Sequence, residues 1–203
     1  MGSVKERYEA ALATATRYFM GQADVQKAAR RIAARLEELG VPYAICGGLA
    51  VAAHGHVRLT EDVGVLVSAD GLRRFKEESL GRGWVERFSG SRSVKDTKHN
   101  VGIDTVVAGQ LPGDGKPKPV RFPDPVDVAV DLGDARILGL DTLLELKLAS
   151  GMSAPDRPRD LDDVIQLIRA NRLQRDHAGR LDPSVRAKFE ELWEYAQIRR
   201  DEG

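Results

Sequence analysis

Hydrophobic residues recur at every third or fourth position at the start of the chain, and this spacing is typical of amphipathic helices. The pattern covers Val4–Leu39 and predicts two helices that are separated near Gly21. Gly40 and Pro42 follow the last apolar position of this stretch. Because a glycine followed by a proline usually ends a helix, we expect the second helix to stop there.

Between residues 41 and 140 the apolar residues form short runs or alternate with polar ones, which predicts β-strands. One helix interrupts them, from Gly71 to about Leu80, with its N-cap within Ser68–Asp70. Ser89–Asn100 is polar and predicts a loop or an irregular hairpin. The predicted strands are Tyr43–Cys46, Val63–Val67, Trp84–Phe88, Val101–Val107, Val126–Val130 and Arg136–Leu140, the last at a sheet edge.

From Asp141 onwards the apolar positions return to helical spacing. Asp141 is the expected N-cap of a helix over Thr142–Gly151, and the next helix begins within Arg159–Asp163. Asp182 and Pro183 supply the N-cap and the first residue of the last helix. We therefore expect an α+β fold, with a mixed, strongly twisted sheet flanked by helices. Its expected parts are N-terminal helices over 1–40, an α/β core over 41–140 and C-terminal helices over 141–203.

The composition is that of an ordinary soluble globular protein. Of 203 residues, 42% are hydrophobic, and 31 Lys and Arg balance 31 Asp and Glu, so the formal net charge is zero. A neutral chain gives no global electrostatic argument for binding nucleic acids or membranes. The single cysteine, Cys46, excludes an internal disulfide, and no apolar run is typical of a signal peptide or a membrane span. We expect a cytoplasmic protein.

Two adjacent glycines, Gly47 and Gly48, lie between the first predicted strand and an alanine-rich segment that favours helix. Glycine allows the backbone to approach a ligand closely, and the first N–H groups of a helix attract anions. The turn therefore predicts a phosphate-binding site. Asp62 stands beside it at the rim of the sheet, and a carboxylate next to a bound phosphate indicates a bridging Mg²⁺ ion.

The predicted strand Val101–Val107 carries a second candidate aspartate. Its odd-numbered residues lie on one face, whereas Gly102, Asp104 and Val106 lie on the other. A carboxylate within a β-branched run is costly unless a cation or hydrogen bonds meet it. Two interpretations are open for Asp104: a metal ligand, or a structural aspartate that accepts hydrogen bonds from a loop or lies at a sheet edge.

A loop rich in glycine and proline, Ala108–Pro125, follows this strand and carries Lys116, Lys118 and Arg121. It lacks the spacing of a Walker-type phosphate loop. The loop either reaches a triphosphate or a polynucleotide backbone, or it is a solvated connection.

Gly47-Gly48, Arg58, Thr60 and Asp62 occur in an order that resembles the DNA polymerase beta-like nucleotidyltransferase superfamily. In that superfamily, Gly-Gly or Gly-Ser is followed by Asp-x-Asp on the next strand and by a third carboxylate on a later strand, where Asp104 stands. The resemblance implies that the glycines, Arg58 and Thr60 bind the nucleotide. It also implies that Asp62 and Asp104 bind Mg²⁺ or Mn²⁺ and lie within about 8 Å of each other, the reach of one or two bridging ions.

Within the superfamily, the chain resembles the small bacterial abortive-infection proteins of type IV toxin–antitoxin systems. These have a lysine on one helix and Arg-Asp-x-x-Asp on the next, which Lys147 and Arg159-Asp160-x-x-Asp163 match. The resemblance implies that Lys147 enters the same cleft as a catalytic and nucleotide-binding residue, and that an antitoxin is a partner. The alternative is a lysine that extends from a buried helix to solvent, followed by an acidic first helical turn.

One position departs from the family pattern, because Gly64 stands where the second aspartate of Asp-x-Asp belongs. Two function classes follow. The first is a nucleotidyltransferase that moves an NMP from an NTP to a hydroxyl of RNA, protein or a small molecule. The second is a catalytically degenerate protein that binds a nucleotide or a partner without transfer. We expect Gly64→Asp to strengthen metal-dependent nucleotide binding at little cost in stability.

Overall fold

A computed structural model of the chain describes residues 24–111, 120–153 and 158–198. The predicted first helix, the break at Gly21, and Lys116 and Lys118 lie outside the described residues. None of the described helices is long and apolar enough to cross a membrane.

The helices are α1 (24–38), α2 (Gly47–Ala53), α3 (Ala69–Ser79), α4 (Pro125–Val128), α5 (Leu140–Ser153), α6 (Pro158–Ala170) and α7 (Pro183–Gln197). The strands are β1 (Tyr43–Cys46), β2 (Asp62–Val67), β3 (Trp84–Glu86), β4 (Val94–Asp96), β5 (Val101–Val107), β6 (Ala129–Asp131) and β7 (Arg136–Leu138).

These strands form one sheet in the order β3-β4-β5-β2-β1-β7-β6. β2 is parallel to β5 and β1 is parallel to β7, whereas the other neighbours are antiparallel. The α+β class with a mixed sheet is therefore confirmed. The three central strands are those that carry the glycine turn and the two candidate aspartates.

The two faces of the sheet support two hydrophobic cores. Odd-numbered residues of β1, β2 and β5 pack under α1 and α3. In this core the rings of Phe75 and Trp84 pack edge to face, with their centroids 5.5 Å apart. Even-numbered residues such as Ala44 and Leu66 pack on the opposite face with residues of α2, α5, α6 and α7. Alternation along each strand thus divides the apolar residues between the two cores.

Strand β4 lies within Ser89–Asn100, the segment predicted as a loop or irregular hairpin. It is short and contains the buried Asp96, so its residues do not give a strand pattern. Arg31 of α1 forms an ion pair with Asp96, and His99 Nδ1 lies 2.7 Å from its other oxygen. The Arg31 guanidinium also stacks on Trp84, 4.4 Å from the ring centroid. Long-range partners therefore stabilise a strand that the sequence pattern does not show.

Three predicted elements differ in the structure. Much of the predicted strand Val126–Val130 is the short helix α4, because Asp124 accepts a hydrogen bond from the N–H of Val126 and Pro125 occupies the first turn. β7 is not an edge strand, since it lies between β1 and β6. Helix α5 begins at Leu140, so Asp141 is not its N-cap and instead contacts the side chains of His177 and Arg180.

Candidate active site

The glycine turn joins the end of β1 to the start of α2. Gly47 has a φ of +65°, in the left-handed region that glycine adopts without strain. Gly48 is buried, and a Cβ atom there would lie 2.8 Å from Cβ of Thr60. Thr60 in turn donates a hydrogen bond to Asp62 Oδ1 at 3.2 Å. Thr60 therefore packs against the turn and orients the first carboxylate.

Asp62 and Asp104 are brought together by the parallel pairing of β2 and β5. The register aligns Asp62 with Gly102 and Gly64 with Asp104, so both carboxylates project from the same face of the sheet. Burial, a hydrogen bond with Asp104 and the charge of Asp104 raise the pKa of Asp62, while Thr60 and Arg87 oppose this shift. The two carboxyl groups thus lie close enough to influence each other's ionisation, in a place that disfavours two negative charges.

Arg87 provides a cation at this pair that the sequence motifs did not indicate. It follows β3, and its Nη1 donates to Asp104 Oδ1 at 3.1 Å. Its side chain is 53% exposed and that of Asp104 is 42% exposed. Nothing in the local pattern around Arg87 distinguishes it from other surface arginines, because only the folding of the β3–β4 hairpin brings it to β5.

The place of the missing aspartate is occupied by the thiol of Cys46. Cys46 pairs with Gly64 across β1 and β2. A Cβ atom at residue 64 would lie 2.9 Å from Cys46 Sγ and 3.2 Å from the Cys46 carbonyl oxygen. Burial raises the pKa of Cys46 to about 12, although Lys147 opposes the shift, so the thiol is neutral at pH 7. The expectation that a side chain at residue 64 costs little stability does not hold in this packing.

Lys147 lies in the same cleft as Cys46 and Asp104, with its side chain 11% exposed. Its ammonium is not free, since Nζ lies 2.5 Å from Asp160 Oδ1 and 2.8 Å from Asp163 Oδ2. The lysine therefore neither extends into bulk water nor presents an unpaired charge. Lys147 lies at the cleft and forms ion pairs with two carboxylates of α6.

Arg58, the other predicted phosphate-binding cation, is held by the same helix. Its Nε and Nη2 donate to the two oxygens of Asp163 at 2.6 and 2.9 Å. Asp163 is fully buried. Burial alone would raise its pKa, but the hydrogen bond from Arg58 and the charge of Lys147 outweigh burial and hold the pKa of Asp163 below its usual range. Asp163 thus links the α2–β2 loop, α5 and α6 in one buried network.

A cleft with a volume of about 330 Å³ is lined by Cys46, Gly47, Asp104 and Lys147, among other residues. Its apolar lining includes Leu66 of the sheet, Phe122, and Leu143 of α5. Its polar lining includes Asp104 and Lys147. An apolar lining with a few convergent polar groups is the usual form of a small-molecule site.

Comparisons with protein-family models and with curated proteins found no match. Among solved structures, the chain is similar to the crystal structure of ANT(2")-Ia in complex with adenylyl-2"-tobramycin. The TM-score is 0.53 and the identity 13%, over 85% of this chain and 99% of that chain. The chain has a nucleotidyltransferase-like fold. The solution structure of the antibiotic-resistance factor ANT(2'')-Ia aligns with a TM-score of 0.46 and 15% identity over 89% of this chain and 92% of that chain.

The carboxylates of Asp62 and Asp104 offer the oxygen donors that a hard divalent cation binds. The described residues contain no cluster of three or more His, Cys, Asp or Glu side chains that would hold a metal. Asp62 and Asp104 are two adjacent hard oxygen donors whose mutual repulsion a cation would relieve. The remaining ligands of Mg²⁺ would then be waters and phosphate oxygens, as is usual for this ion.

Proposed function

We propose that the protein binds a nucleoside triphosphate together with a divalent metal ion and transfers the NMP to an acceptor hydroxyl. The observation that carries this proposal is the pair Asp62 and Asp104, adjacent on two parallel strands beside the turn Gly47-Gly48. The fold is consistent with it. Asp62 and Asp104 would hold Mg²⁺ or Mn²⁺, which when bound neutralises phosphate charge and lowers the pKa of the acceptor hydroxyl.

The residues of the chain have separate tasks in this proposal. Gly47 and Gly48 would form the turn that receives the phosphates, and the missing side chain of Gly48 leaves room for Thr60 behind it. The acceptor oxygen attacks the α-phosphorus, pyrophosphate leaves, and the proton of the acceptor passes to a carboxylate oxygen of Asp62 or Asp104. Lys147 would add positive charge near the leaving group while its ammonium stays paired with Asp160 and Asp163 of α6. Arg58 and Thr60 act by orienting the turn and Asp62.

The acceptor is the least constrained part of the proposal. RNA, protein and small-molecule hydroxyls are all compatible with the chemistry. The ANT(2")-Ia structure contains adenylyl-2"-tobramycin, an adenylylated small molecule. This ligand and the size of the cleft support a small-molecule acceptor. An antitoxin partner, which the abortive-infection resemblance implies, stays a prediction.

Titration of ATP and CTP by calorimetry, with Mg²⁺ and with a chelator, tests the proposal. We expect binding that requires the metal and that weakens at least tenfold in Asp62→Asn and in Asp104→Asn, because each change removes a charged metal ligand. Asp70→Asn is the matched control, since Asp70 is an exposed carboxylate on α3 with a side chain 93% exposed. Equal binding without metal, or unchanged binding in both site variants, would contradict the proposal.

A second candidate function, nucleotide binding without transfer, is favoured by Gly64 and by the position of Cys46 Sγ. A site with one carboxylate fewer holds its metal less tightly. Pyrophosphate release in the presence of hydroxyl acceptors distinguishes the two. A degenerate protein would be stabilised by Mg²⁺-ATP, and at a hundred times the Kd its free energy of unfolding would rise by about 2.7 kcal/mol. It would release no pyrophosphate above the level of the Asp104→Asn variant.

A further inference from the structure

The guanidinium of Arg87 lies beside Asp104, one of the two carboxylates that would hold the metal ion. It donates to Asp104 at 3.1 Å, and its charge also lowers the pKa of Asp62 against the effects that raise it. One monovalent cation therefore acts on both carboxylates that would hold a divalent metal ion.

The side chain of Arg87 is partly open to solvent. It is about half exposed, and the next residue, Phe88, is 71% exposed. The turn that follows contains Gly90 with a φ of +77°. Asp104 is the one hydrogen-bond partner described for the guanidinium in residues 24–111. A half-exposed ion pair of this kind contributes little stability, so exchanging its cation costs little.

Resting on the proposed function, we infer that Arg87 occupies the place of the metal ion in the free protein and competes with it. A divalent ion must displace the guanidinium from Asp104 before both carboxylates can bind it. The arginine thereby keeps two adjacent carboxylates compensated when no metal is present, and it lowers the metal affinity of a site that already lacks one ligand. It is a residue that sets metal affinity, not one that contacts the reacting atoms.

Mn²⁺ alone is the probe, with its affinity measured by electron paramagnetic resonance and without any nucleotide. We expect Arg87→Ala to bind Mn²⁺ about three- to tenfold more tightly than the parent protein, because a competing charge is gone. The gain should shrink as salt concentration rises. Arg87→Lys keeps the charge and should remain close to the parent. Arg82→Ala is the matched control, since the Arg82 side chain is 74% exposed and its polar partner among the described residues is Glu78.

Thermal unfolding provides a second readout, which a merely structural role would not reproduce. In a chelating buffer, the Tm of Arg87→Ala should stay close to that of the parent, because the half-exposed ion pair that it removes contributes little stability. Mn²⁺ should raise the Tm of the variant more than it raises that of the parent. A structural role predicts instead an equal loss of Tm with and without Mn²⁺ and an unchanged Mn²⁺ affinity.

Unchanged or weaker Mn²⁺ binding in Arg87→Ala would overturn the inference, and so would the absence of any binding, since freed carboxylates must attract the ion. Because no nucleotide is used, these outcomes are distinct from a failure of the proposed function. That failure would appear as tight Mn²⁺ binding without any metal-dependent binding of ATP or CTP.

Discussion

Cys46 and Gly64 are paired residues on two antiparallel strands, so their side chains would project from the same face of the sheet. Gly64 is also paired with Asp104 on β5. An aspartate at residue 64 would therefore stand beside Asp104, as a third carboxylate requires. The Cys46 thiol occupies the space that the Cβ atom of this aspartate would need. The two positions form a steric pair, in which the identity of one limits the other.

Gly64→Asp alone should lower the free energy of unfolding by about 1–3 kcal/mol, because overpacked side chains must shift. Adding Cys46→Ala removes Sγ, so the double variant should regain part of this loss and bind Mg²⁺ more tightly than the parent. Urea unfolding and calorimetry with Mg²⁺-ATP measure the two effects as a double-mutant cycle. Gly64→Asn in the Cys46→Ala background has the same shape without the charge and should not gain affinity. Strictly additive stabilities would show that the two residues do not interact.

At the scale of elements, α6 connects to the site through one buried aspartate. Asp163 accepts hydrogen bonds from Arg58 of the α2–β2 loop and pairs with Lys147 of α5. Three elements that are distant in sequence thus converge on one carboxylate. An unpaired charge buried at this point would be very costly. The network therefore fixes the position of α6 against the cleft while it holds both cations.

Asp163→Asn should destabilise the protein by about 3 kcal/mol at pH 7, because it leaves the largely buried Arg58 without its carboxylate and Lys147 with Asp160 alone. The native pKa of Asp163 is lowered. Its stabilisation is therefore complete above the usual Asp pKa of about 3.9 and is lost as the pH falls from there through the native value. The difference between Asp163→Asn and the parent should then shrink below about pH 4. Denaturant titrations from pH 3 to pH 7 measure it.

Asp162→Asn is the control for this series, since Asp162 is the exposed neighbour on the same helix. It should change stability by less than about 0.5 kcal/mol at every pH. A loss in Asp163→Asn that stays constant down to pH 3 would contradict the assignment of the loss to charge pairing.

For the molecule as a whole, one sheet separates two cores. Phe75 lies in the core under α1 and α3, and Phe189 of α7 lies in the core on the opposite face. Both cores use residues of the same strands, which alternate between the faces. Loss of either core therefore exposes apolar surface of strands that the other core needs. We expect the described part of the chain to unfold as one cooperative unit.

Phe75→Ala and Phe189→Ala should each lower the free energy of unfolding by about 3–5 kcal/mol, because each removes a fully buried ring. Tryptophan fluorescence and far-UV circular dichroism, followed in urea, should give one coincident transition in both variants. Phe88→Ala is the control, since that ring is 71% exposed and its loss should have little effect. Two separate transitions in either variant would show that the cores unfold independently.

Local signals determined several parts of this protein in advance. The alternation in β5 placed Asp104 on the opposite face from its buried neighbours, and Ser68 is the N-cap of α3 as predicted. The pair Asp182 and Pro183 also begins the last helix as predicted. Side-chain periodicity, capping and glycine conformations depend on a few neighbouring residues, so a sequence displays them directly.

The tertiary structure alone decided which side chains meet at the site. Arg58 and Asp163 are 105 residues apart in sequence, and Arg87 and Asp104 are 17 apart. Strand β4 exists because of its pairing with β3 and β5. The thiol of Cys46 opposite Gly64 follows from the register of β1 against β2. Such contacts depend on strand order and register, which no local pattern encodes, because they arise from the mutual packing of the whole sheet.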